Sequence, residues 1–176
     1  LWSDYMLELL KSRRSIRKYK DTPIEKDKID KIIKSALLAP SSMNKKPVEL
    51  IVVNEKSTLE KLEKCKNRGT LALKTSPVAI VVIGDSLTSD VWIEDASIAS
   101  TLIQLEAESL GLGSCWIQMR SRQGENDDSE KEVRNVLNIP DNYGVLSIIA
   151  LGYKDEEKIP YDENSFNFNK IHYNKF

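Results

Sequence analysis

Arg13-Arg14-Ser15-Ile16-Arg17-Lys18-Tyr19 sets three arginines within five residues around one hydroxyl. In an extended chain alternate side chains share a face. Arg13, Ser15 and Arg17 then point one way, and Arg14, Ile16 and Lys18 the other. Two guanidinium forks beside a hydroxyl match the oxygens of a phosphate dianion and can grip it bidentately. The same residues also read as a solvated basic turn, or as a nucleic-acid or targeting patch. The rest of the chain bears on that choice.

Lys+Arg 26 against Asp+Glu 27 leaves a net charge of -1, which argues against a dedicated nucleic-acid or membrane-surface protein. The longest unbroken apolar run, Val78 to Ile83, is far too short to span a bilayer. Asp4 and Glu8 interrupt the N-terminal apolar stretch and argue against a signal peptide, so the chain reads as cytoplasmic. Cys65 and Cys115 do not make a disulfide framework, and Cys115, in an apolar run, reads as a buried inert thiol. With His172 as the single histidine and no Cys/His cluster, no metal site is expected. The 176 residues suffice for one domain with a real core.

Periodicity predicts a short helix over 5–11 and a second over 24–38, where Ile29, Ile32, Ile33, Ala36 and Leu37 recur at helical spacing. Thr22 and Glu25 resemble a capping box for the second. A loop of Ser, Asn and two prolines follows from Pro40 to Pro47. Strands are expected at 49–54, 77–84, 113–119 and 145–151, the second central because it is apolar on both faces. Helices are expected at 56–66, 90–110 and 129–137. The 90–110 helix is apolar or small around most of its circumference. That pattern predicts burial against a subunit partner, with Ala96, Ser97, Ala99 and Ser100 permitting close approach. Gly111 is placed to cap it. The tail, 153–176, is polar but carries Tyr161, Phe166, Phe168, Tyr173 and Phe176, as expected of a segment tied onto another surface.

Gly111-Leu112-Gly113 lacks the third glycine of a dinucleotide fingerprint, and no P-loop is present. No Ser/His/Asp relay can be drawn. This poverty of acid–base groups suits an enzyme whose cofactor does the chemistry.

The stretch from Arg13 to Tyr19, directly after a short helix, resembles the opening motif of the nitroreductase-like flavoproteins. Ala39 to Pro47 resembles the second motif and Gly111 to Ile117 the third, in the family's order. The resemblance runs from about Met6 to Phe176. It implies an α+β nitroreductase-like fold: a mostly antiparallel central sheet flanked by helices, in an intertwined homodimer. Residues 1–176 would form one domain, with 153–176 as an extension wrapping the partner. The implied cofactor is FMN. Arg13, Ser15 and Arg17 would hold its phosphate and pyrimidine edge, with Arg14 in the same motif. Pro40, Ser41, Ser42 and Asn44 would cover the flavin from the partner subunit. Trp116, Ile117, Gln118 and Met119 would run along the ring, with the backbone of Gln118 near N5. Gly152 would lie close to the phosphate. The family often has a basic residue soon after the position of Pro160, where this chain has Tyr161-Asp162-Glu163; Lys154 or Lys158 would substitute. The family often has Gly where Gln118 stands.

No catalytic side chain is implied. The implied activity carries hydride from NAD(P)H, through the flavin, to a nitroaromatic, quinone or related small-molecule acceptor by a ping-pong mechanism. Another flavin reaction on the same fold, such as reductive dehalogenation or ring oxidation, and a flavin-binding protein without turnover are the alternatives. Arg120 and Arg122 flank the expected pocket, where they would be solvated or would meet a nicotinamide phosphate.

Overall fold

The computed structural model describes residues 2–176. Four strands, β1 (Val48–Val53), β2 (Val78–Asp85), β3 (Gly113–Gln118) and β4 (Tyr143–Gly152), form one sheet in the order β1-β2-β4-β3. Every neighbouring pair is antiparallel. β2 and β4 are central and buried on both faces, which is why their sequences are continuous apolar runs. A bulge between Val82 and Ile83 shifts the β2–β4 register.

Helices cover both faces of the sheet. On one side α2 (Lys26–Leu37) and α4 (Trp92–Ser109) pack on Ile80, Val82, Ile149 and Leu151. On the other, α3 (Lys56–Lys64) and α5 (Ser129–Leu137) pack on Val81, Ile83, Ile117 and Ile148, together with Ile16 and Tyr19. α1 (Trp2–Ser12) leads into the arginine stretch. The expected α+β architecture is therefore observed, and all four expected strands form with ends moved by at most a residue or two.

Three local expectations are corrected. The Thr22–Glu25 capping box does not form: α2 begins at Lys26, and Glu25 is the extended residue before it. Thr22 is thus too far upstream to reach the first free N–H groups. α3 ends at Lys64, so Lys66 leaves the helix axis. On α4 the small residues face inward: Ala96, Ala99 and Ser100 are fully buried against this chain's own sheet. Their size lets the helix lie close to β2 and β4, while Ile98 is exposed on the opposite side. Gly111 does terminate α4, at φ +77°. Its N–H reaches the Glu108 carbonyl and the Leu112 N–H reaches that of Ala107, the paired closure of a Schellman motif.

The tail divides in two. Residues 153–161 run along this chain's own arginine stretch: the Lys20 N–H donates to the Tyr153 carbonyl, the Asp155 N–H to that of Lys18, and the Tyr161 N–H to that of Lys11. Beyond it, two short 3-10 turns, Glu163–Ser165 and Phe168–Lys170, carry Phe166, Phe168, Tyr173 and Phe176 in exposed positions.

Candidate functional site

The arginine stretch docks on the outer edge of β3. The Ile16 N–H donates to the Ser114 carbonyl at 2.9 Å, and Ser15 and Ser114 form an isolated parallel bridge. Two glycines make this approach possible. Gly113 and Gly152 face each other across β3 and β4. A Cβ on Gly113 would lie 2.9 Å from Cβ of Ile16, and one on Gly152 would lie 2.7 Å from Cβ of Tyr19. Ile16 and Tyr19 thus rest on bare backbone and anchor the stretch from below. The Tyr19 hydroxyl donates to the Ile16 carbonyl at 2.5 Å, and burial pushes its pKa up.

With Ile16 and Tyr19 turned into the core, the alternation separates the arginines. Arg13 and Arg17 lie within electrostatic reach of the buried Cys115 thiol on β3; burial raises that thiol's pKa, and the two guanidinium groups oppose the rise. Among the described residues neither guanidinium has a carboxylate within ion-pair distance. Arg14 goes the other way. Its guanidinium donates to the Ile159 carbonyl and sits 4.5 Å over the Tyr161 ring. It lines a cleft of about 600 Å³ between the arginine stretch and residues 154–158.

Beyond Ser114 no described residue pairs with the outer edge of β3. Since the Ser114 carbonyl points outward, the two-residue period turns the N–H and C=O of Trp116 and Gln118 outward as well. Both residues therefore offer backbone groups to a ligand at that edge. Their side chains are tied together on the α4 side, where Trp116 Nε1 donates to Gln118 Oε1 at 2.9 Å and Gln118 Nε2 donates to the Arg120 carbonyl at 3.0 Å. Ile117 and Met119 are core residues, 1% and 0% exposed, so their side chains cannot line a ligand pocket.

Two other expected residues have structural partners. Gly152 is a floor for the Tyr19 ring, which accounts for the glycine without a ligand. Lys154 is held by both carboxylate oxygens of Glu108, at 2.8 and 2.9 Å. Lys158 pairs with Glu156, whose other oxygen accepts the Arg17 N–H at 2.5 Å; that contact leads the causes holding the Glu156 carboxyl below the usual range.

The 40–47 loop lies apart from the arginines. Its Ser42 N–H donates to Oδ1 of the buried Asp95 at 3.1 Å, and the Ser41 hydroxyl accepts the Lys46 N–H at 2.9 Å. Met43, Asn44 and Lys46 all have positive φ, a costly conformation for side-chain-bearing residues. Pro40 and Ser41 line a 220 Å³ cavity with Asp95 and Lys46, and no residue of 13–17 does. The loop is held at the start of α4, through Asp95. The arginine stretch docks at Ser114, whose hydroxyl accepts from Gln104 Nε2, about 14 Å further along that helix at about 1.5 Å per residue, so one chain does not bring Ser41, Ser42 and Asn44 to Arg13 and Arg17.

The sequence reading missed Lys66. Just past α3, it lies near Cys115 and Arg122, and burial followed by Arg122 pushes its pKa down. No local pattern marks it, because the direction of the chain after α3 is set by tertiary packing. Asp95 was missed for the same reason: its contact with the Ser42 N–H joins segments far apart in the chain.

The donor set at the β3 edge is two arginines whose guanidinium groups form no ion pair among the described residues, one hydroxyl and outward backbone N–H groups. It fits a planar, hydrogen-bonding ligand with an anionic end, as FMN is. Among the described residues no His/Cys/Asp/Glu cluster could hold a metal, and no helix is long and apolar enough to cross a membrane.

Comparison with known proteins agrees with this geometry. The sequence profile of the Nitroreductase family matches residues 10–72 and 65–153. A protein of Archaeoglobus fulgidus with the provisional name NADH dehydrogenase/NAD(P)H nitroreductase is 38% identical over 97% of this chain and 98% of its own length. The solved structure of an FMN-dependent nitroreductase from Clostridium difficile R20291 superposes with a TM-score of 0.94 at 51% identity, over 97% of this chain and 100% of that one. A Bacillus subtilis FMN reductase [NAD(P)H] is 28% identical over 84% of this chain and 66% of its own. The docked arginine stretch, the free β3 edge and these likenesses agree, and the chain belongs to the nitroreductase family.

Proposed function

We propose that this chain is an FMN-dependent NAD(P)H oxidoreductase that reduces a nitroaromatic, quinone or related acceptor. The observation that carries this reading is the position of Arg13, Ser15 and Arg17. They stand at the start of a free strand edge, held there by Ile16 on Gly113 and the Ile16 N–H on Ser114. Cations without carboxylate partners at a fixed edge are an anion site, and the open backbone groups of Trp116 and Gln118 continue it. The names of the Clostridium difficile and Bacillus subtilis relatives support FMN in particular.

When bound, FMN supplies two-electron redox chemistry between a nicotinamide donor and the acceptor. The chain's residues do the rest. Arg13 and Arg17 would hold the anionic groups of FMN, Ser15 would add a hydroxyl contact, and the N–H of Gln118 would hydrogen-bond the ring. Ile117 and Met119 act only as core beneath the edge. Lys154, paired with Glu108, fixes the chain after β4 instead of gripping phosphate.

The reading includes a homodimer. The exposed aromatics of the distal tail, Phe168, Tyr173 and Phe176, need a surface to cover them, and the 40–47 loop needs a second chain to reach the arginines. Donor and acceptor then share one opening. Steady-state kinetics should give parallel double-reciprocal lines, with release of oxidised nicotinamide before the acceptor enters. Intersecting lines would overturn the shared site.

A further inference from the structure

A second group of cations, carried by two loops, flanks the same Cys115 side of β3 that Arg13 and Arg17 approach. Two loops meet there. The Asn67 N–H donates to the Gln123 carbonyl at 3.1 Å, which fixes residues 65–69 against residues 120–124. The juncture carries Lys66, Arg68, Arg120 and Arg122. Ser121, at φ +57°, turns the second loop, with its carbonyl accepting Arg122 Nη1 at 2.9 Å and its hydroxyl accepting Arg120 Nη1 at 3.3 Å. Lys66 is half-buried, and burial and Arg122 together depress its pKa.

Acids stand close by in sequence, but other groups hold them. Asp127 pairs with Lys131, Asp128 caps α5 through the Lys131 N–H, and Glu132 accepts the N–H groups of Asn126 and Asp127. Among the described residues none forms an ion pair with Lys66, Arg68, Arg120 or Arg122. In a chain of net charge -1, Lys66 and Arg122, which oppose each other's charge and form no ion pair among the described residues, mark a place for an anion from outside.

We propose that Lys66 and Arg122 form a clamp for the 2′-phosphate of the nicotinamide donor, so that the enzyme uses NADPH in preference to NADH. The proposal rests on the flavin reading above, because a nicotinamide donor comes to this face only if the flavin lies at the β3 edge. A phosphate monoester dianion suits two neighbouring cations better than a diester, which carries a single charge. Arg120, with its Nη1 on Ser121, flanks the clamp.

The test measures binding and turnover separately. FMN-loaded protein is titrated calorimetrically with adenosine 2′,5′-bisphosphate and with 5′-AMP, and the NADPH to NADH ratio of kcat/KM is measured at low salt. Wild type should bind the bisphosphate at least about tenfold more tightly than 5′-AMP and favour NADPH, since one charge-assisted contact is worth about that factor. Lys66→Gln and Arg122→Gln should each lower both ratios by about tenfold, with rising salt doing the same. Equal binding of the two adenylates by wild type would overturn the clamp. So would variants that weaken NADH and NADPH equally, which would place the pyrophosphate there instead. Flavin content of each variant keeps the two readings apart: a protein that takes up no FMN fails the oxidoreductase reading, whereas a flavin-loaded enzyme indifferent to the 2′-phosphate fails only the clamp.

Discussion

Gly152 shows how one residue shapes the site through a packing contact. The resemblance alone put it near the phosphate; the structure puts it under the Tyr19 ring. Gly152→Ala should force that ring off the sheet at a cost of about 1–3 kcal/mol, the usual range for overpacking a filled core. Chemical denaturation measures the loss, and an unchanged midpoint would show that Tyr19 yields easily. Cys65 carries a pH prediction. Burial is the leading cause of its pKa rise from 9.0 to about 11. A thiol whose folded pKa is raised costs nothing below its unfolded value. It lowers stability between that value and the folded one, where only the unfolded chain ionises. The melting temperature should therefore fall from about pH 9 to about pH 11, and Cys65→Ala should flatten part of that fall. An identical profile in the variant would contradict the assignment. At this scale the sequence was legible where side-chain alternation sufficed: Arg13 and Arg17 on one face, Arg14 on the other. Lys66, Asp95 and the Gly152–Tyr19 contact were not legible, because each depends on residues far away in the chain.

Among elements, the most consequential is the segment 153–161. Sequence presented 153–176 as one extension reaching for a partner. The structure ties its first nine residues to the same chain's arginine stretch, through the Lys20, Asp155 and Tyr161 N–H groups and the Arg14 contacts to Ile159 and Tyr161. The three N–H bonds run between backbones, and an unpatterned sequence gives no sign of them. Truncation after Pro160 should therefore leave a folded domain. It should remove the exposed Phe166, Phe168, Tyr173 and Phe176 and weaken dimerisation and flavin retention together. Burial of each large apolar side chain contributes about 1.5–3 kcal/mol, so losing several would outweigh an ordinary interface margin. Sedimentation velocity followed at the flavin band reads both effects. A truncated protein that stays dimeric and yellow would leave the dimer to other surfaces, such as the exposed face of α4 around Ile98. The helices and strands themselves were legible because their periods are strong. The α4 reading failed in direction: its small residues serve close approach to the chain's own sheet, and composition alone cannot say which neighbour is approached.

The whole molecule is an antiparallel sheet between two helical layers with a cationic strand edge left open. Its fold follows from apolar runs at β2 and β4 and amphipathic helices around them, all readable in sequence. The candidate site is a product of topology: β3 is an edge strand, and the chain's own N-terminal segment covers only its first residues. The central claim is that the Arg13, Ser15 and Arg17 face at that edge holds FMN. Titration of the purified protein with FMN, read by flavin fluorescence, tests it most directly. The account predicts saturation at about one FMN per chain and an affinity about tenfold weaker in Arg17→Ala, the loss of one charge-assisted contact. FMN binding of equal strength in wild type and Arg17→Ala, or no binding by wild type, would contradict it.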